Sequence, residues 1–185
     1  IVVYGATASR FGIPTSQSHS LIAGLTGAAI ALGGAGSVNI HEWMKVIYGL
    51  ALSIGLGFVM GWVLCKLVSI LFAAANRRRA NVFFKYAQIA SAAAMSFMHG
   101  AQDGQKFIGV LFLGVAFASG QTSVGDAGIP SWIMLLCSAT MGIGTSVGGE
   151  RIIKSVGQSM VKLEKYQGFS ADLAGAANLL LATLT

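Results

Sequence analysis

The sequence predicts an all-α polytopic membrane protein, and three observations support this fold class. Of the 185 residues, 55% are hydrophobic and only 10% are charged, whereas soluble domains carry roughly 25% charged residues. The mean hydropathy is +0.73. Glycine is abundant, with 25 residues against 2 prolines, as is common in membrane helices. Finally, the apolar stretches are too long, and too evenly apolar around a helix, for a soluble core.

The first apolar block, residues 1–32, is divided by a polar segment that begins at Pro14. About a dozen residues on each side are too few to cross a bilayer, since a crossing needs about 20. We therefore expect part of a re-entrant helical hairpin with a polar tip, and a kinked spanning helix is the alternative. Ser16 and Ser18 are expected to cap the second arm, a helix over residues 20–31.

The rest of the chain contains five more predicted segments. Three of them are apolar and are expected to cross the membrane, the second being longer than one crossing. They are followed by a helix with its apolar residues opposite a lysine-rich face, and then by an apolar segment that would begin a second hairpin. These segments cover residues 46–72, 83–119, 132–147, 148–167 and 168–185.

Basic residues are concentrated in alternate connections. Residues 73–88 and 148–167 together hold eight lysines and arginines, whereas residues 33–45 and 120–131 hold only Lys45. The positive-inside rule places the eight in the cytoplasm and makes 148–167 an amphipathic helix on that membrane surface. Because these residues adjoin apolar spans, nucleic-acid binding is not expected. Both ends of the chain lie in apolar sequence without an initiator methionine, so we expect an internal piece of a longer cell-membrane protein.

A polar cluster interrupts the apolar sequence of residues 83–119. Its members are an imidazole, an amide, a carboxylate and an ammonium group, namely His99, Gln102, Asp103 and Lys106. Ionisable groups at membrane depth are costly and mark the path of a solute or ion. Gly100 and Gly104 flank the polar pair, which predicts a helix interrupted in mid-membrane.

Each member of this cluster has more than one interpretation. Asp103 is expected to hold sodium or carry a proton, and a paired structural carboxylate is the alternative. Lys106 either contacts an anion directly or only pairs with Asp103, three residues away on one helical face. Ser16 and Ser18 stand at the N-terminus of a half-helix, where N–H groups and the dipole favour an oxyanion, or they act only as helix caps.

Several segments resemble those of the inorganic phosphate transporter (PiT) family, in the family's order. Residues 14–19 are similar to its Pro-x-Ser-Thr-Thr-His segment, and residues 98–106 to its His-Gly-Ala-Asn-Asp-Ala-Gln-Lys segment. Residues 142–154 resemble its Gly-Thr-x-x-Gly-Gly-x-Arg segment, and residues 167–173 fit the approach to its second hairpin. The resemblance covers almost the whole chain and implies an inverted-repeat transporter with re-entrant helical hairpins and an interrupted transmembrane helix.

The resemblance also implies roles for individual residues. Phosphate would be bound by Ser16, Gln17, Ser18, Gln102 and Lys106. The coupling ion, sodium or a proton, would be held by Asp103 and Gln102, and His19 and His99 would be structural or gating residues. No catalytic residue, organic cofactor or resident metal is expected. The expected partners are inorganic phosphate and the lipid bilayer, and a homo-oligomer is left open.

The chain departs from the family pattern at two places. Gln102 replaces an asparagine, and Gln17 and Ser18 replace two threonines, which leaves one hydroxyl fewer. Sodium-coupled or proton-coupled phosphate transport is the first reading, and a permease for sulfate or another tetrahedral oxyanion is the second. A membrane enzyme using the two histidines and Asp103 is the third, although the cluster lacks a second ligand motif such as His-x-x-x-His.

Overall fold

The computed structural model of the chain describes residues 1–120 and 128–184, and these residues contain helices and no strands. The predicted all-α class is therefore confirmed. The six α-helices are α1 Val2–Phe11, α2 Gln17–Gly33, α3 Ile40–Leu71, α4 Arg77–Ala118, α5 Ser131–Lys154 and α6 Lys165–Leu184. A 3₁₀ turn covers Ala35–Ser37 and a π-helical segment covers Ser155–Met160. The predicted connection at 120–131 includes residues 121–127, which lie outside the described residues.

The chain forms two compact units. The first contains residue 1 with residues 19–99 and 162–185, and the second contains residues 2–18 and 100–161. Helix α3 packs against α6 in the first unit, and α1 packs against α5 in the second. Small residues of α6 are buried, as is common where membrane helices approach closely. They are Gly168, Ser170, Ala174 and Ala176.

Helix α1 ends where the sequence predicts the break in the first apolar block. Gly12 has φ of 66°, and its N–H donates to Ser9 O at 3.2 Å while Ile13 N–H donates to Ala8 O at 2.9 Å. This pair of bonds is a Schellman motif, which needs the left-handed conformation that glycine adopts without strain. Helix α2 then begins at Gln17, three residues before the predicted start.

Helix α3 begins at Ile40, six residues before the predicted start of its segment. Asn39 explains the earlier start, because its side chain accepts bonds from the N–H groups of His41 and Glu42 and so caps the first turn. Within the described residues, α3 is the one single helix that is long and apolar enough to cross a membrane. The stretches Ser131–Val147 and Gly149–Gly157, which meet at 53°, would pass the same test as one broken span.

Helix α4 corrects two predictions. It begins at Arg77 rather than near residue 83, because Asn76 caps it by accepting a bond from the N–H of Arg78 at 3.0 Å. It also continues through Gly100 and Gly104 to Ala118, so the predicted interruption is wrong. A glycine within a helix costs about 1 kcal/mol relative to alanine, but it keeps its N–H and C=O groups, so the hydrogen-bond ladder can pass through it.

The structure divides the predicted amphipathic segment 148–167 among three helical elements, although the bend between Val147 and Gly149 falls at its predicted start. Helix α5 continues past residue 147 to Lys154, where an ion pair between Glu150 and Lys154 at 2.7 Å supports the added turn. The π-helical segment follows, and α6 begins at Lys165, three residues before the predicted segment. The Gln167 side chain accepts a bond from the Glu164 N–H at 2.8 Å, which satisfies a donor at the start of α6.

Candidate functional site

Three predicted site residues form one hydrogen-bonded network in the second unit. The Ser18 hydroxyl donates to Asp103 Oδ1 at 3.0 Å. The Lys106 ammonium donates to Ser18 Oγ and to Asp103 Oδ1, each at 3.0 Å. A hydroxyl, a carboxylate and an ammonium group therefore lie within mutual contact. We refer to Ser18, Asp103 and Lys106 as the polar triad.

Local helix geometry explains how the triad assembles. Asp103 and Lys106 are three residues apart on α4, which places them on one face of the helix. Ser18 is the second residue of α2, so its side chain is not at the N-cap position, and its predicted role as a cap is wrong. Its hydroxyl bonds to the α4 carboxylate instead, which leaves Ser16, immediately before α2, as the cap candidate.

The charged side chains of the triad are only partly buried. The Lys106 side chain is 45% exposed and the Asp103 side chain is 21% exposed. A bond between such partly solvated charges contributes little to folding, because water competes for both groups. The arrangement offers a cationic donor for an anion beside a carboxylate for a cation.

The loop before the triad is held by α5. The Arg151 guanidinium donates to Arg10 O at 3.0 Å, so it satisfies a carbonyl that the C-terminus of α1 leaves without a helical partner. A cation there also complements the negative end of the helix dipole. The positive-φ Gly12 lies against the same part of α5, since a Cβ built on it would be 3.4 Å from Arg151 O.

The other predicted site residues have different surroundings. The Gln17 amide lies against α1, where a Cβ built on Gly5 would be 2.8 Å from Gln17 Nε2. Ser16 is exposed and Gln102 is half-buried. His19 and His99 belong to the first unit and are exposed. The proposed roles of these four polar residues and of Gln17 stay predictions.

Two residues that sequence reasoning left without a role also make polar contacts. Arg151 belongs to a segment that resembles the family pattern, and that resemblance was the available signal. Asp172 of α6 accepts a bond from the buried Ser91 hydroxyl of α4 at 3.4 Å, within the first unit. Its signal was a carboxylate near the start of an apolar segment. In the described part of the chain, no group of three or more His, Cys, Asp or Glu side chains could hold a metal ion.

Comparison with known proteins assigns this helical chain to a class and then to a family. Its class is that of transporter-family proteins, because the Phosphate transporter family matches residues 1–80 and 72–185, which together cover the whole chain. The chain therefore belongs to the phosphate transporter family. This result confirms the predicted family, and because the family is one of transporters, it also confirms that the chain does not belong to an enzyme class.

Several curated relatives carry the same description, "Probable low-affinity inorganic phosphate transporter". The relative from Bacillus subtilis (strain 168) is 40% identical over 173 residues, which is 94% of this chain and 51% of the relative. The relative from Rhizobium meliloti (strain 1021) is 36% identical over the same shares. The relative from Mycobacterium leprae (strain TN) is 35% identical over 98% of this chain and 44% of its own length.

The chain thus spans about half the length of the curated relatives it matches. No solved structure matches it significantly.

Proposed function

We propose that the protein containing this chain moves inorganic phosphate across the cell membrane and couples this movement to sodium ions or protons. The description of the relatives as inorganic phosphate transporters supports the substrate. The observation that carries the mechanism is the polar triad, because one hydroxyl lies between a cation and a carboxylate at 3.0 Å from each.

The anion would bind to Lys106 and Ser18. An ammonium group has three N–H donors, and two of those of Lys106 point to Ser18 and Asp103. The third would reach a phosphate oxygen, and the Ser18 hydroxyl would turn from the carboxylate to a second oxygen. Hydrogen bonds to an ionised acceptor such as phosphate are roughly twice as strong as bonds between neutral groups, so these two residues would supply most of the affinity.

Asp103 would couple the anion to the cation. While its carboxylate is charged and holds no sodium or proton, it accepts bonds from Ser18 and Lys106 and repels an incoming phosphate. Sodium or a proton on Asp103 would neutralise that charge and release both donors. Phosphate would therefore bind well only after the cation, which makes cation and anion binding mutually dependent. Such coupling between two sites is typically about 1–3 kcal/mol, or roughly 5- to 150-fold in affinity.

The membrane arrangement is part of the same proposal. The protein would be multi-pass. Helices α1 and α2 would form a re-entrant hairpin, and α6 would begin a second hairpin of opposite orientation. The arginines at the start of α4 and the lysines around residues 154–165 would face the cytoplasm, as the uneven distribution of basic residues indicates. Inverted repeats of this kind place the solute site near the bilayer centre.

The test is uptake of labelled phosphate by the full-length protein at a series of sodium concentrations and pH values. In the wild type, the half-saturating phosphate concentration should fall as the coupling cation increases. Asp103→Asn keeps the shape and removes the charge, so this dependence should disappear. Glu42→Gln is the matched control, because Glu42 also pairs with a lysine three residues away but at an exposed position.

Two outcomes would contradict this mechanism. An Asp103→Asn variant with wild-type uptake and unchanged cation dependence would remove Asp103 from coupling. Faster uptake of labelled sulfate than of phosphate by the wild type would favour the oxyanion alternative, even though the family assignment would stand.

A further inference from the structure

A cluster of positive charge lies at the start of α4, in the first unit. Arg77, Arg78 and Arg79 are consecutive and exposed. Among the residues that the structure describes, no carboxylate forms an ion pair with any of the three. Basic residues in the first turn of a helix oppose its dipole, and neighbouring like charges repel each other. Helix stability therefore does not explain this cluster.

A cavity of about 410 Å³ is lined by Arg77, the first of the three arginines, and its size is typical of small-molecule sites. The end of α3, the turn to α4 and the start of α6 form it, and its lining includes Phe72, Arg77, Asn81, Phe84, Glu164 and Tyr166. The aromatic side chains pack together, with ring centroids 4.8 Å apart for Phe72 and Phe84 and 6.2 Å apart for Phe84 and Tyr166. The cavity thus combines a wall of packed aromatic rings with polar and cationic groups.

The length of α3 would put the cavity at the level of lipid headgroups. Helix α3 has 32 residues and is about 48 Å long at 1.5 Å per residue. A bilayer including its headgroups is about 40–45 Å thick. If the apolar middle of α3 occupies the hydrocarbon core, its last turn and the following turn reach the headgroups. Tyr166 fits this depth, since tyrosine is enriched at membrane interfaces.

We propose that this cavity binds the headgroup of an anionic phospholipid. Arg77 lines the cavity and would hold the lipid phosphate, since guanidinium groups bind phosphate in a bidentate manner. Asn81 and Tyr166 would bond to headgroup oxygens and hydroxyls. In the two segments beside the cavity, residues 72–85 and 162–166, six side chains are basic and one, Glu164, is acidic. The basic residues are Arg77, Arg78, Arg79, Lys85, Lys162 and Lys165. This balance favours an anionic lipid over a zwitterionic one.

The experiment measures binding of fluorescent phosphatidylglycerol and phosphatidylcholine to the purified full-length protein in detergent. The wild type should bind phosphatidylglycerol more tightly, and added salt should weaken only that preference. Each basic residue near an anionic membrane surface strengthens binding roughly 5-fold. Arg77→Gln should therefore bind phosphatidylglycerol about 5-fold more weakly, and the triple change of Arg77, Arg78 and Arg79 to Gln on the order of 100-fold more weakly.

Two variants control this experiment. Lys45→Gln removes one charge at the other end of α3, where Lys45 pairs with Glu42, and should leave lipid binding unchanged. Arg77→Lys keeps the charge and should lose less affinity than Arg77→Gln. If the triple variant does not fold, the single Arg77→Gln change and the salt dependence of the wild type decide the question.

Three results would overturn the proposal. The first is binding of phosphatidylglycerol by Arg77→Gln as tight as that of the wild type. The second is an equal loss of phosphatidylcholine binding in Arg77→Gln. The third is an equal loss of phosphatidylglycerol binding in Lys45→Gln. Displacement of bound lipid by inorganic phosphate at low concentration would assign the cavity to the free anion instead. Because lipid binding is measured without uptake, a failure here would leave the proposed transport function untouched.

Discussion

Replacement of Ser18 by alanine tests whether the polar triad binds the transported anion. In the structure, the Ser18 hydroxyl donates to Asp103 and accepts from Lys106, each at 3.0 Å. Alanine removes both bonds and little else. We expect uptake to continue, with a higher half-saturating phosphate concentration.

The size of the effect follows from the bonds and their exposure. A lost hydrogen bond to a charged group costs about 1.5–3 kcal/mol. The lower value applies here for two reasons: the Lys106 side chain is 45% exposed, so water replaces part of the bond, and the resting protein loses its own bonds to Ser18 as well. About 1.5 kcal/mol corresponds to roughly a 10-fold weaker affinity.

The assay is phosphate uptake against phosphate concentration, normalised to the amount of protein at the membrane, together with a thermal melt of the purified variant. Ser16→Ala is the matched control, because Ser16 precedes α2 and is the cap candidate. Loss of a cap costs about 0.5–2 kcal/mol of stability, so Ser16→Ala should lower the melting temperature more than Ser18→Ala does. Unchanged half-saturation in Ser18→Ala, with normal stability, would refute the role of this hydroxyl in binding.

Three further predictions test the hairpin and the topology. Gly12→Ala should destabilise the purified protein by about 1–2 kcal/mol, because alanine is strained at positive φ. Gly27→Ala changes an open helical position and should not destabilise the protein. Equal melting temperatures of the two variants would show that alanine is not strained at position 12. Arg151→Gln should lower the melting temperature and raise the proteolysis rate at the α1–α2 connection, because the end of α1 loses a cationic partner worth about 0.3–1 kcal/mol; an unchanged rate would show that the contact does not hold the loop. Single cysteines at Ser37 and Ala75, on either side of α3, should react with impermeant reagents from opposite sides of the membrane; reaction of both from one side would show that α3 does not cross.

Much of the site's local character could be read from the sequence. Asp103 and Lys106 are an (i, i+3) pair, so any helix through them brings the two charges together whatever surrounds it. The break after α1 was also readable, because Gly12 permits the left-handed turn and Pro14 disfavours a continuous helix. The glycines of α4 were ambiguous, since glycine tolerates both a helix and a break. The early starts of α3 and α4 come from Asn39 and Asn76, whose capping role the hydrophobic pattern obscured.

The sequence by itself determined that this chain is helical and apolar, with one carboxylate–ammonium pair in an apolar stretch, because composition, periodicity and residue spacing are local properties. Only the tertiary structure decided that Ser18 meets Asp103, which lies 85 positions away along the chain. It also decided that Arg151 satisfies the end of α1, 141 positions away. Such contacts depend on which helices pack together and at which rotation. Helix α1 packs on α5, and the sequence of neither helix alone indicates this pairing.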